Sequence, residues 1–199
     1  RVAHYGIAED DECMTYSVGF RAPSHRDLVG GFLQHAIEEI DPDARYSDPD
    51  LSPAEHAGAI REDARAKVRG LLRGLVDDDA AIDRWFGQYL TRPTGRRQAM
   101  PPATSVSASA LIDALQQGTD LRRGPVSDLA FIEHDDGTAT LFVNGEATTL
   151  DAALAYAAPL ITGREVLPAD TLTPHLGDEA FVDLLASLVN EGLLELDAA

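Results

Sequence analysis

Apolar and polar residues alternate over two short segments at the start of the chain, which predicts β-strands at residues 2–8 and 13–20. The acidic residues 9–12 form the predicted turn between them. Two strands alone do not bury a face stably in water. The pattern therefore predicts the end of a larger sheet whose remaining strands are not encoded in these 199 residues.

Apolar residues then recur every three or four positions up to residue 91, which predicts three helices. The first begins at Ser24, which forms a capping-box pattern with Asp27, and ends at Asp41-Pro42. The second begins with Ser52 as N-cap and Pro53 in the first turn, and runs to about residue 76. The third carries Ile82, Trp85, Phe86, Tyr89 and Leu90.

Residues 92–105 are rich in Arg, Pro, Gly, Ser and Thr and have no apolar period, which predicts a linker and a domain boundary. The chain is thus divided into residues 1–22 (strands), 23–92 (helices), 93–105 (linker) and 106–199 (a C-terminal module).

The C-terminal module combines helices with a small β-hairpin. Asn144-Gly145 favours the tight turn of a hairpin, and Ser107 and Asp178 are N-cap signals. Helices are predicted at 107–118, 152–161 and 179–190, and strands at 128–134, 138–143, 146–149 and 193–196. This order predicts an α+β, winged-helix-like fold.

The charge of the chain limits the partners that it can bind. The formal net charge is −18, and Lys67 is the only lysine. A DNA-binding regulator, which a winged helix suggests, is disfavoured because residues 119–199 carry three basic and fifteen acidic side chains. An anionic membrane would repel the chain for the same reason, whereas a basic protein would be attracted.

The cysteine content and the first residue indicate the cellular compartment of the protein and whether the chain is part of a longer one. Cys13 is the only cysteine, so no disulfide within the chain and no thiolate zinc site can form, which fits a reducing cytosol. Neither a signal peptide nor an apolar run of membrane-spanning length is present in the sequence. Because the first residue is Arg1, we expect the chain to be the C-terminal portion of a longer protein.

His4 lies in a predicted strand, where a histidine is more often hydrogen-bonded within a sheet than bound to a metal. The six histidines form no HxH, HxD or HExxH pattern, and the residues around His4 supply no obvious further ligands. Val29 and Phe32, on the first helix, fit either the core of the monomer or a subunit interface.

The segment YSVGFRAP, residues 16–23, resembles the bacterial cupin-like, JmjC-type ribosomal oxygenases, which hydroxylate an arginine of the sixteenth protein of the large ribosomal subunit. The likeness continues in residues 46–50, in Trp85-Phe86-Gly87 and in the helix at 185–192, and extends over essentially the whole chain. It implies the last strands of a double-stranded β-helix barrel, then a helical dimerisation region, then a winged-helix-like domain.

The resemblance also implies Fe(II) and 2-oxoglutarate, with iron held by a His-x-Asp pair and a later histidine that corresponds to His4. The His-x-Asp pair and the basic residue expected for 2-oxoglutarate are absent from the chain, so we expect the 199 residues alone to be inactive. Thr15 and Ser17 are candidate cosubstrate contacts, and Val29 and Phe32 candidate dimer contacts.

The partners implied are a second copy and a basic ribosomal protein in the cytoplasm, with no direct nucleic acid and no membrane. The alternative hypothesis is a non-catalytic dimerisation and protein-interaction module.

Overall fold

The computed structural model describes residues 22–47, 49, 56–93, 95 and 99–197, which fall into two compact units divided between Pro42 and Asp43. The helices are α1 His25–Glu38, α2 Glu62–Gly74, α3 Asp79–Thr91, α4 Ala108–Gln116, α5 Ala157–Thr162, α6 Ala169–Leu172 and α7 Glu179–Asn190. The strands are β1 Leu121–Arg123, β2 Leu129–Glu133, β3 Ala139–Val143, β4 Glu146–Leu150, β5 Val166–Leu167 and β6 Leu194–Leu196. The strands predicted before residue 22 and the helix start at Ser52 lie outside the described residues.

Helix α1 begins where the capping box predicts. The Ser24 hydroxyl accepts a hydrogen bond from the Asp27 N–H at 3.1 Å, and the Asp27 carboxylate accepts one from the Ser24 N–H at 3.0 Å. Two donors that a helix start leaves unpaired are thus satisfied by side chains. The helix buries Phe32 and Ala36 and leaves Val29 exposed.

Helix α2 starts later than the sequence pattern predicts. Residues 56–61 form a turn and irregular backbone, and the first helical residue is Glu62. Glu62 and Asp63 place two carboxylates in the first turn, where they meet the positive end of the helix dipole. Gly58 lowers the helix propensity of the preceding segment, so the helix begins after it.

Helix α3 packs on the antiparallel sheet β2–β3–β4. Gly87 permits close contact, because a Cβ at this position would lie 2.3 Å from the ring of Phe142. Gln88 Nε2 donates to the Gly145 carbonyl at 3.0 Å, and Thr91 Oγ1 accepts from the Gly145 N–H at 3.1 Å. The helix before the predicted linker therefore lies in the same compact unit as the sheet that follows it.

The hairpin turn between β3 and β4 has the predicted conformation. Val143 pairs with Glu146, and the two intervening residues have positive φ angles of 49° (Asn144) and 90° (Gly145). Both central residues of a type I′ turn need this conformation, and Asn-Gly adopts it readily. The three strands predicted around the two turns are thus confirmed as β2, β3 and β4.

The second sheet has the order β5–β1–β6 and forms the centre of the module. Leu121 of β1 is fully buried and pairs with Leu167 on one side and Leu196 on the other. The core cluster that includes Leu121 and Leu194 of this sheet takes its helical residues chiefly from α4, α5 and α7: Leu111, Leu115, Ala157, Ala158, Ile161, Phe181, Leu185 and Leu188. Only β6 of this sheet is predicted by the sequence pattern, because β1 and β5 are too short to show alternation.

The helix predicted at 152–161 is shorter than expected. Residues 152–156 form turns, and α5 begins at Ala157. Asp151 caps the turn, since its carboxylate accepts from the Leu154 N–H at 2.9 Å. Pro159 lacks an N–H group, so it fits only within the first turn of a helix and fixes the start nearby.

Residues 99–106 are held against the C-terminal module by hydrogen bonds and close backbone contacts. The Asn190 side chain donates to the Val106 carbonyl at 3.0 Å and accepts from the Val106 N–H at 2.8 Å. Gly192, with φ of 72°, lies so close to the Met100 carbonyl that a Cβ there would be 2.3 Å from its oxygen. This part of the predicted linker therefore forms an ordered cover over the end of α7.

Candidate functional site

Helix α2 carries an apolar surface that is exposed in the part of the chain that the structure describes. None of its residues is buried, and Leu72 is 60% exposed. Leu71 and Leu72 follow Val68 by three and four residues, so both lie on the same side of the helix as Val68. We call the surface formed by Ile60, Ala64, Val68, Leu71 and Leu72 the α2 face.

A groove of about 610 Å³ runs along the α2 face and is lined by Tyr46, Ile60, Ala64, Arg65, Val68 and Arg69. Aliphatic and aromatic groups predominate, with two arginines at the edge. Such a surface is suited to an apolar helix or peptide. It is not suited to a small charged ligand.

The same helix carries an unusual share of the positive charge. Five of the sixteen basic residues lie between residues 61 and 73, with only two acidic ones. Glu62 pairs with Arg65 at 2.6 Å and also with Arg69, and Arg61 pairs with Asp63 at 3.1 Å. The surroundings of the α2 face are therefore basic in a chain that is acidic elsewhere.

The two candidate dimer contacts on α1 differ in exposure. Val29 is 59% exposed, whereas Phe32 is buried within the single chain. The exposed apolar residues of α1 recur at helical spacing: Val29, Leu33, Ile37 and Ile40. Of the predicted pair, Val29 has the larger exposed fraction, and the role of both residues as dimer contacts stays a prediction.

The candidate iron ligand His4 and the candidate cosubstrate contacts Thr15 and Ser17 lie outside the described residues. Within the part of the chain that the structure describes, no group of three or more His, Cys, Asp or Glu side chains is placed to hold a metal ion. The described residues therefore do not fit an iron centre, and no chemical step follows from them.

The winged-helix-like module presents acidic side chains. At the turn between β2 and β3, hydrogen bonds from the Thr138 hydroxyl and N–H hold the pKa of Asp136 below its ordinary value. Glu179 and Asp183 are exposed on α7. These carboxylates are among the fifteen acidic side chains of residues 119–199, which carry three basic ones. No helix among the described residues combines the length and apolar character needed to cross a bilayer.

One polar cluster is not predicted from the sequence. The Tyr156 hydroxyl donates to Asp178 at 2.8 Å, and the Tyr156 ring stacks on His175 with centroids 4.7 Å apart. Burial first, and then the hydrogen bond to Asp178, raises the pKa of Tyr156 to about 12. Asp178 also caps α7, since it accepts from the Ala180 N–H at 3.1 Å. The cluster therefore links Tyr156 to the first turn of α7. Of its interactions, only the N-cap formed by Asp178 is indicated by a local sequence pattern.

Residues 74–195 match the family model described as "ROXA-like winged helix". The chain belongs to the ROXA-like winged helix family. The matched residues include α3, in agreement with the packing of this helix on the β2–β3–β4 sheet. The predicted winged-helix-like fold of the C-terminal module is confirmed.

Two curated relatives are similar to most of the chain. The ribosomal protein uL16 3-hydroxylase of Escherichia coli is 30% identical over 189 residues, which cover 95% of this chain and 48% of that protein. A probable ribosomal oxygenase of Haemophilus influenzae is 28% identical over 149 residues, covering 71% of this chain and 34% of that protein. The chain spans about half the length of the first relative and a third of the second.

Solved structures give the same result. The crystal structure of the Escherichia coli ribosomal oxygenase YcfD matches with a TM-score of 0.71 and 28% identity, over 90% of this chain and 48% of that one. YcfD in complex with cobalt and 2-oxoglutarate matches equally well, with a TM-score of 0.71, 28% identity, and 91% and 48% coverage. The predicted resemblance to ribosomal oxygenases is therefore confirmed as homology with their C-terminal part.

Proposed function

We propose that this chain is the C-terminal part of an Fe(II)- and 2-oxoglutarate-dependent oxygenase that hydroxylates an arginine of a large-subunit ribosomal protein. The observation that carries the proposal is the 30% identity with the uL16 3-hydroxylase over 95% of this chain. The cobalt and 2-oxoglutarate held by a homologous structure support a metal- and 2-oxoglutarate-dependent reaction. Cobalt(II) commonly occupies the iron position in such sites because it accepts the same nitrogen and oxygen ligands.

In this proposal His4 is the distal iron ligand, and Thr15 and Ser17 contact the cosubstrate. Residues 1–22 are the last strands of the barrel, and the helices within 23–92 form a homodimer in which Val29 and Phe32 are contacts. The net charge of −18 supports a basic ribosomal protein as substrate, because opposite charge speeds and orients the encounter. A ribosomal substrate also favours a reaction in the cytoplasm.

The coding sequence upstream of Arg1 gives the first test. We expect it to encode a His-x-Asp motif on a predicted strand, followed by a basic residue. The longer protein, loaded with Fe(II) and 2-oxoglutarate, should then add one oxygen atom to an arginine-containing ribosomal peptide, measured by mass spectrometry. An upstream sequence without the motif removes the oxygenase proposal.

Two variants of the longer protein test the role of His4. His4→Ala should abolish 2-oxoglutarate turnover and weaken Co(II) binding, since an iron centre with two remaining ligands holds its metal poorly. His25→Ala, which changes an exposed histidine at the start of α1, should leave both unchanged. Equal turnover by the two variants contradicts the assignment of His4, and turnover by the 199 residues alone contradicts their expected inactivity.

A non-catalytic interaction module is the second candidate, and the uncovered α2 face favours it. A longer protein that lacks the His-x-Asp motif but still associates through its helices is the result expected from this candidate.

A further inference from the structure

Another groove lies within the C-terminal module, between residues 99–106, the end of α7 and strand β6. Its volume is about 310 Å³, at the lower end of the range of ligand pockets. Apolar side chains form most of its walls: Met100, Val106, Val189, Leu194 and Leu196. Met100 is 82% exposed, and its flexible thioether adapts readily to a bound apolar group.

Strand β6 borders this groove along its free edge. Among the described strands, β6 pairs only with β1. Neighbouring residues of a strand point to opposite faces of the sheet, so a groove lined by Leu194, Glu195 and Leu196 alike runs along the edge. The Asp197 N–H donates to the Asp120 carbonyl at 2.9 Å, so the backbone groups of Leu196 point away from β1. Such an edge is a template for an extended peptide.

The charge around the groove selects a basic peptide. Glu195 lines the groove and is exposed. Arg122, opposite Glu195 on β1, is already paired with Asp197 at 2.8 Å and with Glu165 at 3.6 Å. Because residues 119–199 carry fifteen acidic and three basic side chains, a basic segment is attracted to this module and an acidic one is repelled.

We propose that this groove binds an extended basic segment of the protein substrate. The segment adds to the edge of β6 at Leu196, places an apolar side chain beside Met100, and pairs an arginine or lysine with Glu195. The inference rests on the proposed function and adds to it a docking surface on the winged-helix-like module.

Peptide binding to the 199-residue chain tests the assignment. A short peptide of alternating Arg and Val residues should bind more tightly than Arg-Gly or Glu-Val peptides of the same length, because the former lacks apolar side chains and the latter has the wrong charge. Fluorescence anisotropy at about 0.15 M salt, where the screening length is about 8 Å, reports local contacts more than net charge. The NMR signal of the Met100 methyl group should shift when the Arg-Val peptide binds.

Matched variants separate the groove from general attraction by an acidic chain. Glu195→Gln and Asp183→Asn each remove one exposed negative charge, but Asp183 lies on α7 and does not line the groove. Glu195→Gln should weaken binding of the Arg-Val peptide by about 2–5-fold, the effect of one exposed ion pair, and Asp183→Asn should leave it nearly unchanged. Equal effects of the two variants, or an unmoved Met100 signal, overturn the inference.

Peptide binding requires neither metal nor 2-oxoglutarate, so it is measured independently of catalysis. In the longer protein, Glu195→Gln should raise the KM for the ribosomal-protein substrate and leave kcat unchanged, because the groove holds the substrate equally in the ground state and the transition state. Peptide binding by a longer protein without hydroxylase activity removes the proposed function and leaves the docking surface. An active enzyme with the same KM in wild type and Glu195→Gln overturns the docking surface alone.

Discussion

The phenol of Tyr156 is half-buried beside Asp178, and its proton is held there by a hydrogen bond of 2.8 Å. Burial and that bond raise its pKa to about 12, above the ordinary value of about 10. The protonated phenol thus stabilises the fold. This contribution is fully present below about pH 10 and is lost as the pH rises through about 12.

Replacing this phenol tests the contribution. We expect Tyr156→Phe to lower the free energy of unfolding by about 1 kcal/mol at neutral pH, a typical value for one hydrogen bond. The loss should shrink above pH 10, and the variant should lack a tyrosinate absorbance phase near pH 12. Ser187→Ala, which removes an exposed hydroxyl bonded to Glu191, is the control and should not change that phase. Identical titrations of wild type and Tyr156→Phe contradict the assignment.

At the level of single residues, the sequence predicts interactions that are close in the chain. The caps at Ser24, Ser107 and Asp178 are predictable because donor and acceptor lie two or three residues apart. Two other hydrogen bonds join residues that are far apart in the sequence: Tyr156 with Asp178, and Asn190 with Val106. Such pairs depend on tertiary packing, so no local pattern indicates them.

At the level of elements, the contact of α3 with the sheet requires a glycine at position 87. A methyl group on Gly87 would overlap the ring of Phe142, which is 1% exposed. We expect Gly87→Ala to lower the free energy of unfolding by about 1–3 kcal/mol, the usual cost of overpacking, in urea titrations.

A second helical glycine provides the comparison. A methyl group added to Gly70 on α2 would enter open space, with no neighbouring atom within 4 Å. Gly70→Ala should therefore be neutral or stabilise by up to about 1 kcal/mol through helix propensity. If Gly87→Ala is as stable as Gly70→Ala, then α3 does not pack on the sheet as described.

Sequence patterns predict the elements that are long or strongly capped. Helices α1, α3, α4 and α7 and the hairpin strands appear close to their expected positions. The predicted second helix includes residues 56–61, which form a turn and irregular backbone, and α2 begins at Glu62. Periodicity shows that α3 has an apolar side, but not that the β2–β3–β4 sheet covers it. The same limit hides the α2 face.

At the scale of the whole molecule, repulsion between carboxylates is the dominant long-range force. The net charge is −18, and the side chains of the described ion pairs are about a third exposed or more, as in Arg122 with Asp197 at 2.8 Å. The pKa of Arg122 is raised by this carboxylate, but its side chain is 43% exposed, and such pairs contribute little to stability. Unfolding separates the like charges, so their repulsion favours the unfolded chain.

Salt should therefore stabilise this protein. Between about 20 mM and about 500 mM NaCl the screening length falls from roughly 20 Å to about 4 Å, which removes most of the repulsion but little of the close ion pairing. We expect a gain of about 1–2 kcal/mol, or roughly 2–8 °C in Tm, by calorimetry. Asp183→Lys, a charge reversal at an exposed position of α7, should raise Tm at low salt, and this gain should shrink at high salt. A Tm that falls with NaCl would instead mean that the exposed ion pairs outweigh the net charge.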